Sequence, residues 1–155
     1  MTPCIRLLTK NKTSYKVHQY EHDSSCTSYG EEAALKLGVM PQRVFKTLVT
    51  QGDTKEFFVG IVPIVSQLSL RAMAKVLGVK KIAMADAKDV EKVTGYVLGG
   101  VSPLGQKRKL KTVLDSSALE YDTIFVSAGK RGLEVELSPQ DMQKLLNAKF
   151  ERVAT

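Results

Sequence analysis

A lysine set inside an apolar run is the first candidate for chemistry in this chain. In Val44-Phe45-Lys46-Thr47-Leu48-Val49, strand alternation places Val44, Lys46 and Leu48 on one face and Phe45 and Thr47 on the other. A strand lysine is more often an outward charge, because lysine is rarely buried unless paired. Sharing a side with two aliphatic residues instead favours a pocket position for Lys46. The second candidate is Thr94-Gly95-Tyr96-Val97-Leu98-Gly99-Gly100-Val101-Ser102-Pro103-Leu104-Gly105-Gln106, with four glycines and two apolar pieces. Glycines recurring in this way mark positive φ or close backbone approach. Such a loop can aim amides at a ligand, or simply make a tight bend between strands. Ser127-Ala128-Gly129-Lys130-Arg131-Gly132 is a second glycine turn.

The usual hydrolytic engines are missing. There is no Gly-x-Ser-x-Gly elbow, no His-Glu-x-x-His and no cysteine in a recognisable nucleophile setting. No Gly-Lys-Ser/Thr completes a Walker loop, which argues against nucleotide hydrolysis. His18 and His22 are four apart but have no third ligand beside them, so they read as surface imidazoles rather than a metal pair. Cys4 and Cys26 lack paired spacing, which argues against a disulfide framework and a zinc site and fits a reducing compartment. Neither a metal nor a cofactor is expected.

The 155 residues, 43% hydrophobic and 25% charged, suit one globular domain spanning the chain from 1 to 155. Lys and Arg outnumber Asp and Glu by 23 to 16, a net charge of +7 that suits an anionic partner such as RNA or merely a soluble basic surface. Lys107, Arg108 and Lys109 follow one glycine run, and Lys130 and Arg131 sit in the other. They are candidates for phosphate contact, although solvated loop charge explains any one of them equally well. No signal-like segment and no membrane-length apolar run is present, so a cytoplasmic protein with no membrane partner is expected.

The elements that must position these residues follow from caps and periodicity. Thr2-Pro3 opens a helix ending near Asn11, with Cys4, Leu7 and Leu8 on one face, expected to pack on the body as a lid. Tyr15 to Tyr20 reads as a strand, possible at an edge, with Tyr20 at its end. A short helix runs from Glu31 to Leu37 and stops at Gly38. Val44 to Thr50 and Glu56 to Val62 form a hairpin around Gln51-Gly52-Asp53. Ser69 caps a helix from Leu70 to Leu77, and Lys81 to Met84 is a brief strand entering an Asp86-capped helix through Val93. Further strands are expected at Thr112 to Asp115, Tyr121 to Val126, Leu133 to Leu137 and Phe150 to Val153. Ser138-Pro139-Gln140-Asp141 opens a helix through Leu146. Hairpins outnumber regular strand-helix alternation, which predicts an α+β domain on a mixed, curved, barrel-like sheet with helices packed outside.

Phe45-Lys46-Thr47-Leu48, the run from Thr94 to Gln106 and the turn from Ser127 to Leu133 together resemble the YbaK family. These small bacterial proteins are similar to the editing domain inserted in bacterial prolyl-tRNA synthetases. Met1-Thr2-Pro3 and Tyr20-Glu21-His22-Asp23 extend the resemblance over essentially the whole chain. It implies a freestanding trans-editing deacylase of misacylated Cys-tRNA(Pro), working with prolyl-tRNA synthetase. It also implies that Lys46 is the essential lysine, with Tyr20, Thr47, Gly99 and Ser127 around the aminoacyl end and Gly100 and Gly129 beside them. The substrate's own thiol would attack its carbonyl, so the protein would need no nucleophile. Cys4, Cys26, Ala128 in place of a second glycine, and Glu134 in place of a shorter polar or acidic residue depart from the family pattern, and the change at Glu134 is expected to alter pocket fit. A non-catalytic tRNA-binding adaptor is the alternative reading.

Overall fold

In the computed structural model, which describes all 155 residues, the opening helix α1 (Pro3–Lys10) forms as its cap predicts. Thr2 Oγ1 accepts from the Ile5 amide at 3.3 Å and donates to the Ala128 carbonyl at 2.5 Å, and Cys4 and Leu8 are fully buried. β1 (Lys16–Gln19) leads to α2 (Tyr29–Leu37), which begins two residues before Glu31 and ends at left-handed Gly38, φ 67°. A 3-10 turn at Pro41–Arg43 precedes β2 (Phe45–Gly52), which pairs with β3 (Phe57–Pro63) in an antiparallel hairpin setting Lys46 opposite Val62. α3 (Leu70–Leu77) is capped by Ser69, whose Oγ accepts from the Ala72 amide at 3.1 Å. β4 (Ile82–Met84) follows, then α4 (Ala87–Thr94), where Asp86 holds the cap position but makes no side-chain capping bond.

β5 (Lys111–Asp115) passes through a 3-10 turn at Ser116–Glu120, which the sequence did not signal, into β6 (Ile124–Lys130) and β7 (Leu133–Leu137). β6 therefore starts later than Tyr121 and absorbs most of the glycine turn. A bulge makes this possible: Ser127 pairs with Glu134 and Lys130 with Leu133, and Gly129 takes φ 114° between them. Ser138 Oγ accepts from the Asp141 amide at 3.2 Å to open α5 (Pro139–Leu146), and β8 (Lys149–Glu151) closes the chain. The last strand stops short of Val153, because the amides of Val153 and Ala154 turn to Asp115 Oδ1, each at 2.8 Å.

The fold is a mixed α+β single domain with five α-helices. Its strands form two sheets, not one closed barrel: an antiparallel β1-β7-β6 and a mixed β4-β2-β3-β5-β8. A single parallel bridge, Val44 to Phe125, links β6 to the start of β2. On its N-terminal side that ladder is stopped by the 3-10 turn at Pro41–Arg43. The main core lies between the sheets, where Phe45, Val49, Ile61 and Leu114 meet Val126, Val135 and Leu137, closed by Leu8 of α1, Val93 of α4 and Met142 of α5. α1 thus seals the core and does not cover the pocket described below. α3 packs on the other face of the larger sheet through Met73, against Phe58, Val62 and Val113. No helix is long and apolar enough to cross a membrane.

Candidate functional site

Where the two sheets meet, a pocket of about 470 Å³ opens between the first residues of β2, Tyr20 at the end of β1, Ser127 of β6 and Glu134 of β7. The N-terminus of α2 and the Leu98-Gly99 loop complete its rim. Lys46 is half-buried and forms no ion pair. An uncommitted cation in such a cavity is free to meet a substrate oxygen or phosphate with three donors. Thr47, on the opposite face of β2, also lines the pocket, and its buried hydroxyl has no hydrogen-bond partner. A buried polar group without a partner is uncommon and marks a place where a ligand or water can complete the bonding.

Glu134 is the least expected member. It is 7% exposed and makes no hydrogen bond or ion pair, and burial alone pushes its carboxyl up to about 8. Strict alternation along Leu133–Leu137 makes β7 a half-buried strand with Glu134 on the face away from the leucines, but β7 is the central strand of its sheet, with His18 and Ser127 as the cross-strand neighbours of Glu134. The face away from the core is therefore roofed by the pocket walls. Tyr20 stands beside it, its hydroxyl pushed up to about 12 by burial and by the Glu134 charge, while its amide donates to Gly132 O at 3.0 Å.

The candidate residues divide between pocket, rim and elsewhere. Tyr20, Lys46, Thr47, Gly99 and Ser127 all line the cavity. Gly100 and Gly129 do not, for a packing reason: a side chain at Gly100 would meet Lys130 Cα at 2.9 Å, and one at Gly129 would meet Tyr96 Cε1 at 2.7 Å. Ser127 Oγ accepts from the Gly129 amide at 3.2 Å, so Gly129 positions a pocket residue without facing the ligand. Arg131 lies at the rim, donating to the Leu98 carbonyl at 2.7 Å with its guanidinium 4.6 Å from the Tyr29 ring centroid. Lys130 is exposed next to Gly100. Lys107, Arg108 and Lys109 are exposed but off the pocket, where the amides of Lys107 and Arg108 bond the carbonyls of Thr94 and Val93 at the end of α4.

Sequence reasoning missed Tyr29, Gly30, Ile64 and Leu98, which also line the cavity. Only Leu98 left a signal in the sequence, as an apolar residue inside a glycine loop, and the structure leaves it 52% exposed. The histidines need correction. His22 Nδ1 lies 2.6 Å from Glu32 Oε1 and His18 Nε2 lies 2.9 Å from Glu136 Oε1, so both are part-buried ring partners of separate carboxylates, not surface imidazoles.

The profile of the Aminoacyl-tRNA editing domain family matches residues 23–145. EbsC of Enterococcus faecalis, provisionally named a Cys-tRNA(Pro)/Cys-tRNA(Cys) deacylase, is 38% identical over 154 residues, covering 99% of this chain and 93% of that protein. ProXp-y of Escherichia coli, named a multifunctional Ser/Thr-tRNA deacylase, is 25% identical over 142 residues, covering 91% and 84%. A solved structure described provisionally as a trans-editing enzyme for prolyl tRNA synthetase superposes with a TM-score of 0.84 at 22% identity, covering 100% of this chain and 99% of the other, and so shares the fold.

Proposed function

The chain belongs to the Aminoacyl-tRNA editing domain family, known also as the YbaK family, and from that premise we propose that it removes cysteine from misacylated Cys-tRNA(Pro). Residues 1–155 act as one editing unit, in the cytoplasm, on tRNA handed over by prolyl-tRNA synthetase. The carrying observation is an unpaired Lys46 in a pocket that contains no nucleophile activated by a base. Cys4 is fully buried, and burial pushes its thiol up to about 11. Cys26 does not line the pocket and leans on the Ser28 carbonyl at 3.8 Å. Ser127 has no histidine bonded to it.

The pocket's own groups divide the remaining work. Lys46 holds the ester end through the terminal phosphate or ribose oxygens, and the Leu98-Gly99 loop faces the carbonyl. Glu134 meets the substrate's α-amino group: burial without a partner raises its carboxyl, and the ammonium supplies the counter-charge that the pocket lacks. The substrate sulfur then attacks the carbonyl carbon. The S–C bond forms as the ester C–O bond breaks, the ribose oxygen takes the proton, and water opens the resulting ring to give free cysteine and tRNA.

Single-turnover hydrolysis at saturating enzyme tests both parts. Lys46→Ala is expected to lose about a hundredfold or more in rate with the fold retained, the usual scale for removing one charge-stabilising donor; unchanged turnover removes Lys46 from the mechanism. Cys-tRNA(Pro) should react much faster than Ser-tRNA(Pro), because a few per cent of thiol is ionised at neutral pH and almost no alcohol is. Equal rates would sink thiol assistance and leave an activity of the kind that ProXp-y's name describes.

A further inference from the structure

Four cations gather at the opposite end of β2 from Lys46, and none is paired. Arg71 and Lys75 lie one turn apart on α3, while Lys80 and Lys81 lead into β4. All four are exposed and, with Ala74 and Val79 among the apolar residues between them, line a groove of about 480 Å³. The fold brings them together deliberately. Gly78, at φ 71°, ends α3 and turns the chain back, so that the two lysines come alongside the helix that preceded them.

The groove has no acid to balance it. None of the four cations is within ion-pair distance of a carboxylate. Asp53 comes to the rim of this edge, its amide donating to the Lys81 carbonyl at 3.1 Å, but it does not line the groove and forms no ion pair. Like charges four apart on a helix repel, so this arrangement disfavours the unliganded state and favours a polyanion.

We propose that this groove binds the sugar-phosphate backbone of the tRNA acceptor stem while the aminoacyl end occupies the Lys46 pocket. Distance supports this partner over a small anion. Gly52 pairs with Ile82 at the groove, and it lies six residue steps along the extended strand from Lys46, about 20 Å at roughly 3.3 Å per residue. A single-stranded tRNA terminus seated in the pocket spans that gap and delivers the duplex to the groove. Duplex RNA is recognised largely through its phosphates and shape, and a set of exposed, unpaired cations over an aliphatic floor offers such contacts without reading sequence. The proposal rests on reading the chain as a tRNA deacylase, but places the tRNA body on a surface that neither glycine loop touches.

Two double variants, Arg71→Gln with Lys75→Gln and Lys80→Gln with Lys81→Gln, test it. Lys144→Gln with Lys149→Gln is the charge-matched control, since it lies at α5 and β8, the other edge of the larger sheet. Fluorescence anisotropy with uncharged tRNA(Pro) reads binding whether or not any ester is cleaved. Each groove variant should weaken binding about tenfold and reduce the slope of log K against log salt by about 2, one unit for each lost phosphate contact. The control should change little. A cysteinyl ester of a CCA trinucleotide, which lacks the stem, should be hydrolysed at the same rate by wild type and groove variants. Unchanged tRNA affinity, or an equal loss in the control, overturns the groove. Intact tRNA binding with no hydrolysis of either substrate by wild type overturns the deacylase reading instead, so the two failures are distinct.

Discussion

A carboxyl buried to 7% exposure without a partner must keep its proton or acquire a cation, and burial alone drives Glu134 toward the first state. Its value is raised from 4.5 to about 8, so over that window the folded protein holds a proton that the unfolded chain has released. Stability therefore falls as pH rises from 4.5 toward 8, by up to about 1.4 kcal/mol per unit from this group. Glu134→Gln should flatten that dependence, giving a variant that gains on wild type in Tm between pH 5 and pH 8. Parallel melting curves for the two proteins would show that Glu134 titrates as an ordinary surface acid. In turnover, the same variant should raise KM more than it lowers kcat, because an amide cannot take the ammonium's charge. Lys46 was legible in the sequence because a charge among aliphatic residues is conspicuous at any strand position. Glu134 was legible only as a departure from the family pattern that bears on pocket fit; its burial was not, because that depends on β7 being the middle strand, and alternation within one strand says nothing about what lies on either side of it.

At the scale of elements, the approach to the pocket is held by Glu32 on α2. Its carboxylate sits at 2.6 Å from His22 Nδ1, accepts the Asp23 amide at 2.8 Å and takes Lys36 Nζ at 3.1 Å. Burial pushes this carboxyl up, but those three partners outweigh it and hold the group down at about 2. The segment they pin runs from Tyr20 to Tyr29, two residues of the pocket wall. Glu32→Ala leaves the Asp23 amide and the imidazole without an acceptor, and should cost about 2 kcal/mol, or roughly 5 °C in Tm. Because Tyr29 also carries Arg131 on its ring, KM for the aminoacyl end should rise as well. A variant that melts normally and binds substrate normally would show that α2 holds the rim without this cluster. Helix ends of this kind were readable, since Gly38 and Gly78 adopt the left-handed geometry that their positions predict. The β6 bulge was not: Ser127 to Gly132 looks the same in sequence whether it is a loop or a strand interrupted at Gly129.

For the whole molecule, the decisive feature is that the pocket lies on a seam between two sheets joined by one backbone bridge, Val44 to Phe125. One side-chain cluster closes that seam. Arg43, just before β2, donates from Nε and Nη2 to the Thr123 carbonyl at 3.1 and 2.9 Å and from Nη2 to Glu136 Oε2 at 3.4 Å. Its guanidinium also lies 5.0 Å from the Phe125 ring centroid. Glu136, on β7, accepts from Thr123 Oγ1 at 2.5 Å and meets His18 of β1, so one arginine ties the larger sheet to all three strands of the smaller. Arg43→Met keeps an apolar stem over Phe125 but removes the fork of donors, leaving the Thr123 carbonyl and the Glu136 carboxylate short of partners. The expected loss is about 2 kcal/mol, and its distribution is the test. If the seam is one mechanical unit, hydrogen exchange should speed up together in β1, β6 and β7 and in the first residues of β2, while β3, β5 and the amides of α3 keep their protection. Lys46 and Glu134, which stand on opposite sides of the seam, would then lose their fixed separation, and deacylation should fall through kcat even at saturating tRNA. Faster exchange confined to the Pro41–Arg43 turn, with kcat unchanged, would mean that the Val44–Phe125 bridge and the shared core hold the two sheets in register by themselves.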